Sequence, residues 1–342
     1  MRLDAARQGD ADAFGALVEP YRRELLTHCY RILGSLEDAE DGVQDTFLRA
    51  WRRLETFEGR SSIRAWLYKI ATNACLDMLG RRKRRALPPD LHPASNPQAE
   101  LGQPILEPVW LEPFPDELLA PVEGSPEARY EARESITLAF LGAIQALPPR
   151  QRCALILGDV LDWRAAEVAG ALDTSESAAN SLLHRARSAM RKTYHPASRD
   201  QLSTASQDPH TESLLQRYLR AWETANVDEI VELLTEDAKF PMPPLPIWFQ
   251  GRPAIREFIA ATILSGEARG RWRLLPLSAN ARPGFAFYQL NPETNKYRAY
   301  AIQVLSFEGD LLSDVTTFGF PALFRYFGLA EELEGLGEAF HE

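Results

Sequence analysis

Four residues near the N-terminus stand at positions i, i+3, i+4 and i+7 of a predicted helix: Asp41, Gln44, Asp45 and Leu48. The spacing puts two acids, an amide and a leucine on one helix face, which we call the acidic stripe. Such a face can dock a protein. Exposed acids are common on helices, however, so a solvated surface is the more frequent interpretation of the stripe alone.

A run of five cations closes the third predicted helix: Arg81, Arg82, Lys83, Arg84 and Arg85. Like charges at this density destabilise a chain unless an anion meets them. The run suits a phosphate-binding patch or a solubilising tail, and it carries no sequence specificity.

Residues 162–192 have the pattern of a helix-turn-helix. The sequence predicts one helix, a short turn at Asp173 and Thr174, and a second helix rich in Arg, Ser and Asn. A helical hairpin without a role in DNA binding is the alternative that this pattern leaves open.

Helices must position these groups. Apolar spacing predicts one helix over 13–33, a second that begins after Ser35 with Asp38 as its capping-box partner, and a third over 62–85. Four more helices are predicted in the middle of the chain, over 131–146, 150–158, 164–171 and 175–192.

Residues 87–130 read as an acidic linker. They contain 1 Lys+Arg against 8 Asp+Glu, and their prolines exclude a helix or a central strand. The run WLEPFPDELL (110–119) is too apolar for an inert spacer, so we expect it to dock on its own domains or on a partner.

The balance of basic and acidic residues alternates between the helical parts and the segments that follow them. Residues 1–86 hold 16 Lys+Arg against 13 Asp+Glu, and residues 131–195 hold 8 against 7. Residues 196–342 hold 13 against 20, so the net charge of −10 hides two near-neutral or basic helical parts. An acidic total therefore does not exclude nucleic acid as a partner.

The C-terminal third predicts an α+β domain. Amphipathic helices come first, and alternating runs with a hairpin turn at 308–310 predict an antiparallel sheet. Four residues are candidates for lining a pocket: Trp222, Tyr288, Tyr300 and Asp314. Residues 211–340 contain no histidine, which removes a His–Asp dyad, and a hydrogen-bonded or edge-strand acid is the more common interpretation of Asp314.

Composition sets the remaining limits. A chain of 342 residues with 45% hydrophobic and 25% charged residues predicts two or three folded units and excludes a mostly disordered, collagen-like or disulfide-scaffold protein. Three cysteines far apart in apolar helical patterns predict buried thiols. We expect no signal peptide, no membrane span and a cytoplasmic location.

Residues 38–85 resemble region 2 of the extracytoplasmic-function sigma factors of the sigma-70 family. The run DAEDGVQDTFLRAWRRLETFEGRSSIRAWLYKIATNACLDMLGRRKRR carries the resemblance. In that family the acidic stripe docks on the β′ clamp helices of RNA polymerase. The resemblance also implies that Phe57 forms part of the wall of a pocket for a flipped-out base of the −10 element and that Asn73 hydrogen-bonds to this base. It further implies that residues 81–85 contact promoter phosphates.

The helix-turn-helix resembles region 4, which reads the −35 element. The resemblance implies that seven residues face DNA or its phosphates: Ser175, Ser177, Asn180, Ser181, His184, Arg185 and Arg187. Family members often have G-T-V-K-S-R where this chain has SAANSL at 177–182, so two expected cations are absent. The family's −35 sequence therefore does not transfer.

The C-terminal part resembles the SnoaL-like (polyketide cyclase-type) branch of a cone-shaped fold, and residues 110–116 resemble the linker of sigma factors that carry this extension. The resemblance does not settle the role of this part. Because it and the linker are acidic, we expect them to cover the DNA-reading faces of the helical parts or to hold these parts in register, which predicts a modulating domain that responds to a small ligand or a protein regulator. We expect no catalytic residue, cofactor or metal.

Together the patterns predict two all-α helical sigma domains and a C-terminal α+β cone-shaped domain. The expected parts are region 2 (1–86), a linker (87–130), region 4 (131–195), a second linker (196–209) and the SnoaL-like domain (210–342). The expected partners are the RNA polymerase core, through its β′ clamp helices and β flap, and promoter DNA.

Two alternatives stay open. One is a helix-turn-helix regulator that acts without polymerase, and the acidic stripe distinguishes it from a sigma factor. The other is a bifunctional protein with a cyclase-like or isomerase-like C-terminal domain.

Overall fold

Helices build the chain up to Tyr194 in the computed structural model, which describes residues 2–59, 61–81, 84–107, 109–119, 126–194 and 209–335. The N-terminal helices are α1 (Arg2–Arg7), α2 (Ala11–Val18), α3 (Arg22–Leu33), α4 (Leu36–Arg52) and α5 (Ile63–Leu79). The short α6 (Pro88–Leu91) follows, and the middle helices are α7 (Pro126–Glu134), α8 (Leu138–Gln145), α9 (Pro149–Leu155), α10 (Ala165–Ala171) and α11 (Glu176–Thr193). None of the described helices combines the length and apolar composition needed to cross a membrane.

Polar caps fix where these helices begin. The Ser35 hydroxyl accepts from the Asp38 N–H at 3.2 Å, and Ser62 and Ser175 cap α5 and α11 in the same way. Each cap satisfies one of the N–H groups that the first turn leaves without an intrahelical partner. All three cysteines are buried free thiols, as the sequence predicted.

Several predicted helix bounds were wrong. The predicted helix over 13–33 is broken by a single 3₁₀ turn at Glu19–Tyr21, because Pro20 lacks an N–H to continue the ladder. The third helix ends at Leu79 instead of continuing through the cations. The linker does contain a helical turn, since Pro88 and Pro89 sit at helix-initiating positions where proline is tolerated.

A sheet with helices on it forms the C-terminal part. Its helices are α12 (Pro209–Glu223), α13 (Val227–Glu232) and α14 (Arg252–Phe258). Its strands are β1 (Leu234–Pro241), β2 (Trp248–Gln250), β3 (Trp272–Ala279), β4 (Arg282–Asn291), β5 (Lys296–Glu308), β6 (Leu311–Phe318) and β7 (Glu332–Glu334). Among the described residues the strand order is β2-β1-β6-β5-β4-β3, with β7 beside β5, and β1 pairs with β6 in parallel.

Two tight turns set the register of the long strands. Asn280 and Ala281 both have positive φ and join β3 to β4. The two strands pair in unbroken register from Ala279 opposite Arg282 to Trp272 opposite Gln289. The predicted hairpin at 308–310 is present, with Glu308 opposite Leu311. Aromatic residues of α12 and the sheet fill the core between them, and the layout is the predicted α+β fold.

The chain divides into two compact units. The first comprises Met1–Ala86, Pro108–Phe114 and Leu118–Pro196. The second comprises Leu87–Glu107, Pro115–Glu117 and Ala197–Glu342. The N-terminal and middle helices thus share one unit, and the linker contributes segments to both.

We predict that Gly284→Ala unfolds the sheet locally. A Cβ at this position of β4 would lie 2.0 Å from the backbone oxygen of Gln303 on β5, and backbone atoms in paired strands cannot move aside. We expect a loss of about 2–4 kcal/mol in the free energy of unfolding, measured by thermal and urea denaturation. Gly15→Ala in α2 is the matched control, because its Cβ meets open space; a loss of equal size there would contradict the prediction.

Candidate protein and nucleic-acid interfaces

The acidic stripe lies on the solvent face of α4. The opposite face of α4 is buried through Ala39, Val43 and Ala50. Asp41 and Gln44 are exposed, and Leu48 keeps 47% of its surface in solvent. The stripe therefore combines accessible acids with an exposed leucine, as a docking surface requires.

Arg49 connects this stripe to the neighbouring helix. It pairs with Asp45 at 2.8 Å on its own helix and with Asp77 of α5 at 2.7 Å. The two carboxylates raise the pKa of Arg49 against the opposing effect of burial. The Asp45 carboxylate is thus held in place and partly neutralised, while the other stripe residues face solvent.

Phe57 and Trp66 form an aromatic pair beside the start of α5. Their ring centroids are 5.0 Å apart, and Phe57 is buried. The backbone oxygen of Phe57 accepts a hydrogen bond from Arg7. The ring of Phe57 is therefore covered in this structure, and its role in the wall of the base pocket stays a prediction.

Asn73 contacts the middle helices. Its amide N–H₂ donates to the Lys69 oxygen at 2.9 Å on α5 and to the Ala171 oxygen at 3.2 Å at the end of α10. One turn earlier on α5, Lys69 pairs at 2.6 Å with Asp173, in the turn that precedes α11. The amide of Asn73, predicted to read the flipped-out base, is thus bonded to the helix-turn-helix in this structure.

The basic run is divided. Arg82 and Lys83 lie outside the described residues, whereas Arg81 and Arg84 are exposed. Arg85 is buried, pairs with Asp38 at 2.5 Å and donates to the Trp110 oxygen at 2.8 Å. The expected phosphate contact does not fit Arg85 in this arrangement, because an internal carboxylate has taken the place of the phosphate.

The second helix of the helix-turn-helix presents an open face. A shallow depression there is lined by five of the seven predicted residues, Ser177, Asn180, Ser181, His184 and Arg185. Ser175 instead caps α11 by accepting from the Ala178 N–H at 3.2 Å. Short hydroxyl, amide and imidazole side chains on one helix can reach base edges in a major groove.

Arg187 is held away from that depression. Its guanidinium donates to both oxygens of Asp159, at 2.6 and 3.0 Å, in a forked ion pair. The pair raises the pKa of Arg187. A phosphate would have to compete with Asp159 for this cation.

A groove of about 360 Å³ lies beside the C-terminal part of α11. Its apolar lining includes Phe140, Leu155 and Met190. Tyr194 packs on Phe140 and donates its hydroxyl to Glu134 at 2.9 Å. The groove suits a short apolar segment with a polar border.

Sequence reasoning missed the role of Arg152. Its guanidinium is buried and donates to the Ile32 oxygen at 2.6 Å and to the Gln145 side chain at 2.6 Å. Burial lowers the pKa of Arg152 to about 10. Arg152, the second arginine of LPPRQR (147–152), therefore joins α9 to the end of α3. No local sequence pattern indicates this contact.

The structure does not bring the four C-terminal candidates together. Trp222 packs against Phe287 in the core at 5.1 Å, whereas Tyr288, the next residue of β4, donates to the Ala330 oxygen at 2.9 Å. Successive strand residues point to opposite faces of a sheet. Tyr300 is 39% exposed, and Asp314 lies opposite Lys239 in the β1–β6 register.

Three family models match the chain. Residues 17–85 match sigma-70 region 2, residues 137–190 match sigma-70 region 4, and residues 215–315 match the SnoaL-like domain.

Whole-chain comparisons agree with these models. The chain is 45% identical over 328 residues to the ECF RNA polymerase sigma factor SigG of Mycobacterium tuberculosis, which covers 96% of this chain and 86% of that protein. It is 32% identical to SigJ of the same organism over 65% of this chain and 62% of that protein. The crystal structure of M. tuberculosis SigJ matches the fold with a TM-score of 0.56 and 23% identity, over 91% of this chain and 98% of that chain.

We predict that Asp314→Asn stabilises the protein at alkaline pH. Burial raises the pKa of Asp314 to about 7, against the opposing charge of Lys239 and a weak hydrogen bond from Thr316 at 3.4 Å. The native state thus holds a proton that the unfolded chain releases near pH 4, so the stability of the native protein falls as pH rises through this window.

The melting temperature of Asp314→Asn should exceed that of the native protein at about pH 8, and the difference should shrink towards about pH 4.5. Glu232→Gln, which changes an exposed carboxylate of α13, is the control and should show no such trend. A pH-independent difference for Asp314→Asn would contradict the assignment.

Proposed function

This chain belongs to the extracytoplasmic-function sigma factors of RNA polymerase, and from that premise we propose which surfaces perform each step of promoter recognition. As a sigma factor it directs RNA polymerase to promoters and initiates transcription. The alternative of a DNA-binding regulator independent of polymerase is therefore set aside.

We propose that the acidic stripe of α4 docks on the β′ clamp helices. The exposed face of α4, which carries Leu48 among acids at helical spacing, supports this proposal together with the match to sigma-70 region 2. Burying a leucine at an interface contributes about 1.5–3 kcal/mol, and the surrounding acids would steer the approach to a basic partner.

The apolar groove beside the C-terminal part of α11 is our candidate for the β flap contact. Its lining by Phe140, Leu155 and Met190 offers about the space that one turn of an amphipathic segment needs. Its α11 residues, Arg187, Met190 and Arg191, are not among those that line the DNA-facing depression. The same helix could thus hold the polymerase and read the −35 element together.

Reading both promoter elements requires the first unit to open. The −10 and −35 elements are about 25 base pairs apart, which is roughly 85 Å at about 3.4 Å per base pair. Asn73 bonds to Ala171, five residues before α11, and the 18 residues of α11 span only about 27 Å. We infer that the middle helices leave α5 before Asn73 captures a base and Arg81 and Arg84 meet phosphates.

We propose that the C-terminal domain modulates the sigma factor and is not an enzyme. Its candidate residues face different sides of the sheet, and Asp314 has a lysine as neighbour instead of a histidine base partner. The interior around Phe287 is packed with Trp222 and Trp272, which favours a scaffolding role. We place this activity in the cytoplasm, with RNA polymerase.

We predict that Leu48→Ala weakens binding to core polymerase by about tenfold or more, because the interface loses a buried apolar side chain. Fluorescence titration of labelled protein with core enzyme measures the affinity. Leu91→Ala in α6 is the matched control, since Leu91 also keeps 47% of its surface exposed, and it should bind within about twofold of the native protein. Equal affinity for all three proteins would exclude the stripe as the docking surface.

We predict that tethering α5 to the helix-turn-helix abolishes promoter-dependent transcription. Lys69→Cys with Asp173→Cys places two thiols where a 2.6 Å ion pair now lies, and the three native thiols are buried and do not compete for a reagent. A reducible cross-linker should lower transcription by core polymerase more than about tenfold, and reduction should restore it.

Two controls accompany the tether. Glu24→Cys with Arg64→Cys joins α3 to α5 at a 2.7 Å ion pair without involving the middle helices, and its cross-linked form should stay active. A non-bridging reagent on the Lys69–Asp173 pair separates tethering from modification. Full activity of the tethered protein would show that opening is not required.

A further inference from the structure

We propose that Glu112 is a positioning residue for polymerase docking, and that residues 109–116, the linker strap, connect the C-terminal unit to the start of α4. The proposal deepens the proposed function and rests on the assignment of α4 as the docking helix. It arises from two sets of contacts that the strap makes, one in each compact unit.

The first part of the strap is built into the helical unit. The Ala86 N–H donates to the Val109 oxygen at 2.9 Å, and the Leu111 N–H donates to the Ala86 oxygen at 3.0 Å. Trp110, Leu111 and Phe114 have at most 2% of their surface exposed. A segment paired and buried in this way is part of the fold and not a spacer.

Glu112 completes the cap of α4. Its carboxylate Oε2 accepts from the Leu36 N–H, the first of the helix, at 2.9 Å, while the Ser35 hydroxyl accepts from the Asp38 N–H. A helix leaves its first four N–H groups unsatisfied, and a negative charge there is favoured by the helix dipole. A residue 76 positions further along the chain therefore fixes where the docking helix begins.

The backbone of Glu112 reinforces this contact. Its N–H donates to the Gly34 oxygen at 3.1 Å, and its oxygen accepts from the Tyr30 hydroxyl at 2.5 Å. Gly34 has a φ of +75°, and a Cβ there would lie 2.7 Å from Leu111. The turn between α3 and α4 thus requires glycine so that the strap can approach.

Arg85 joins the strap to α4 through charge. It lies 3.3 Å from Glu112 and 2.5 Å from Asp38, and 7% of its side chain is exposed. Losing one carboxylate of such a buried group leaves a cation with too little compensation. The ionic group therefore holds α4 and the strap together.

The end of the strap belongs to the C-terminal unit. Pro115 pairs with Ala279 at the end of β3, and the Asp116 carboxylate accepts from the Ala281 N–H at 2.8 Å. Ala281 lies in the tight turn between β3 and β4. Four residues of chain therefore separate Glu112, in the cap of α4, from Asp116, which is bonded to a turn of the sheet.

Hydrogen exchange of the free full-length protein tests the positioning role. Glu112→Ala should lower amide protection at residues 36–40 by about fivefold and weaken core binding by a similar factor. Glu112→Gln should restore part of both, because the amide oxygen still accepts from Leu36. Thr137→Ala, which removes the cap of α8, is the matched control and should leave protection at residues 36–40 unchanged. Unchanged protection in Glu112→Ala would overturn the positioning role.

A double-mutant cycle tests the connection. Asp116→Ala should lower protection at residues 36–40 by a smaller factor, and combining it with Glu112→Ala should add nothing further. Independent, multiplicative effects of the two changes, or no effect of Asp116→Ala on these residues, would overturn the connection.

The outcomes also separate this proposal from the proposed function. If Glu112→Ala lowers protection while both it and Leu48→Ala keep full core affinity, the positioning of α4 stands and its docking role fails. If Leu48→Ala weakens core binding while Glu112→Ala changes neither measurement, docking stands and the inference fails.

Discussion

The carbonyl groups at the C-terminal end of α3 are the constraint on which the helical unit depends. A helix ends with unsatisfied carbonyl oxygens, and buried ones must find donors. Arg152 and Gln145 of the middle helices both donate to the Ile32 oxygen, and the linker N–H of Glu112 donates to the Gly34 oxygen. One helix end therefore collects donors from two distant parts of the chain.

This convergence explains why the predicted DNA-reading parts occupy one compact unit. Arg152 is a buried cation without a carboxylate among its described hydrogen-bond partners, and it is stabilised by carbonyl groups at the ends of α3 and α8. Exposed contacts such as Lys69 with Asp173 contribute little by comparison, since surface ion pairs are worth about 0–1 kcal/mol. The proposed separation of the helices would therefore cost most at the end of α3, a cost that binding to polymerase would have to offset.

The linker has a different role from the one its composition indicates. Its prolines limit regular structure, but its backbone still forms paired segments with Ala86 and with the turn at 279–281. It contributes segments to both units, and the proposed connection between the C-terminal unit and α4 rests on these segments.

The sequence by itself determined the helices, the helix-turn-helix, the α+β layout and the exposure of the acidic stripe. These features follow from periodicity and local caps, as with Ser35 before α4 and the turn before Leu311. The docking tendency of WLEPF was also visible in its apolar residues. Family resemblance added the roles of these surfaces, which periodicity alone leaves open.

Only the tertiary structure decided which polar side chains are available. Arg85 and Arg84 are neighbours in a uniform basic run, yet one is buried against Asp38 and the other is exposed. The Asn73 amide donates to the Ala171 oxygen, and Arg187 pairs with Asp159. The Glu112 carboxylate accepts from the first turn of α4. The physical reason is that a buried charge or amide must be satisfied by some partner, and that partner is set by the packing of residues up to 120 positions apart, as for Arg152 and Ile32.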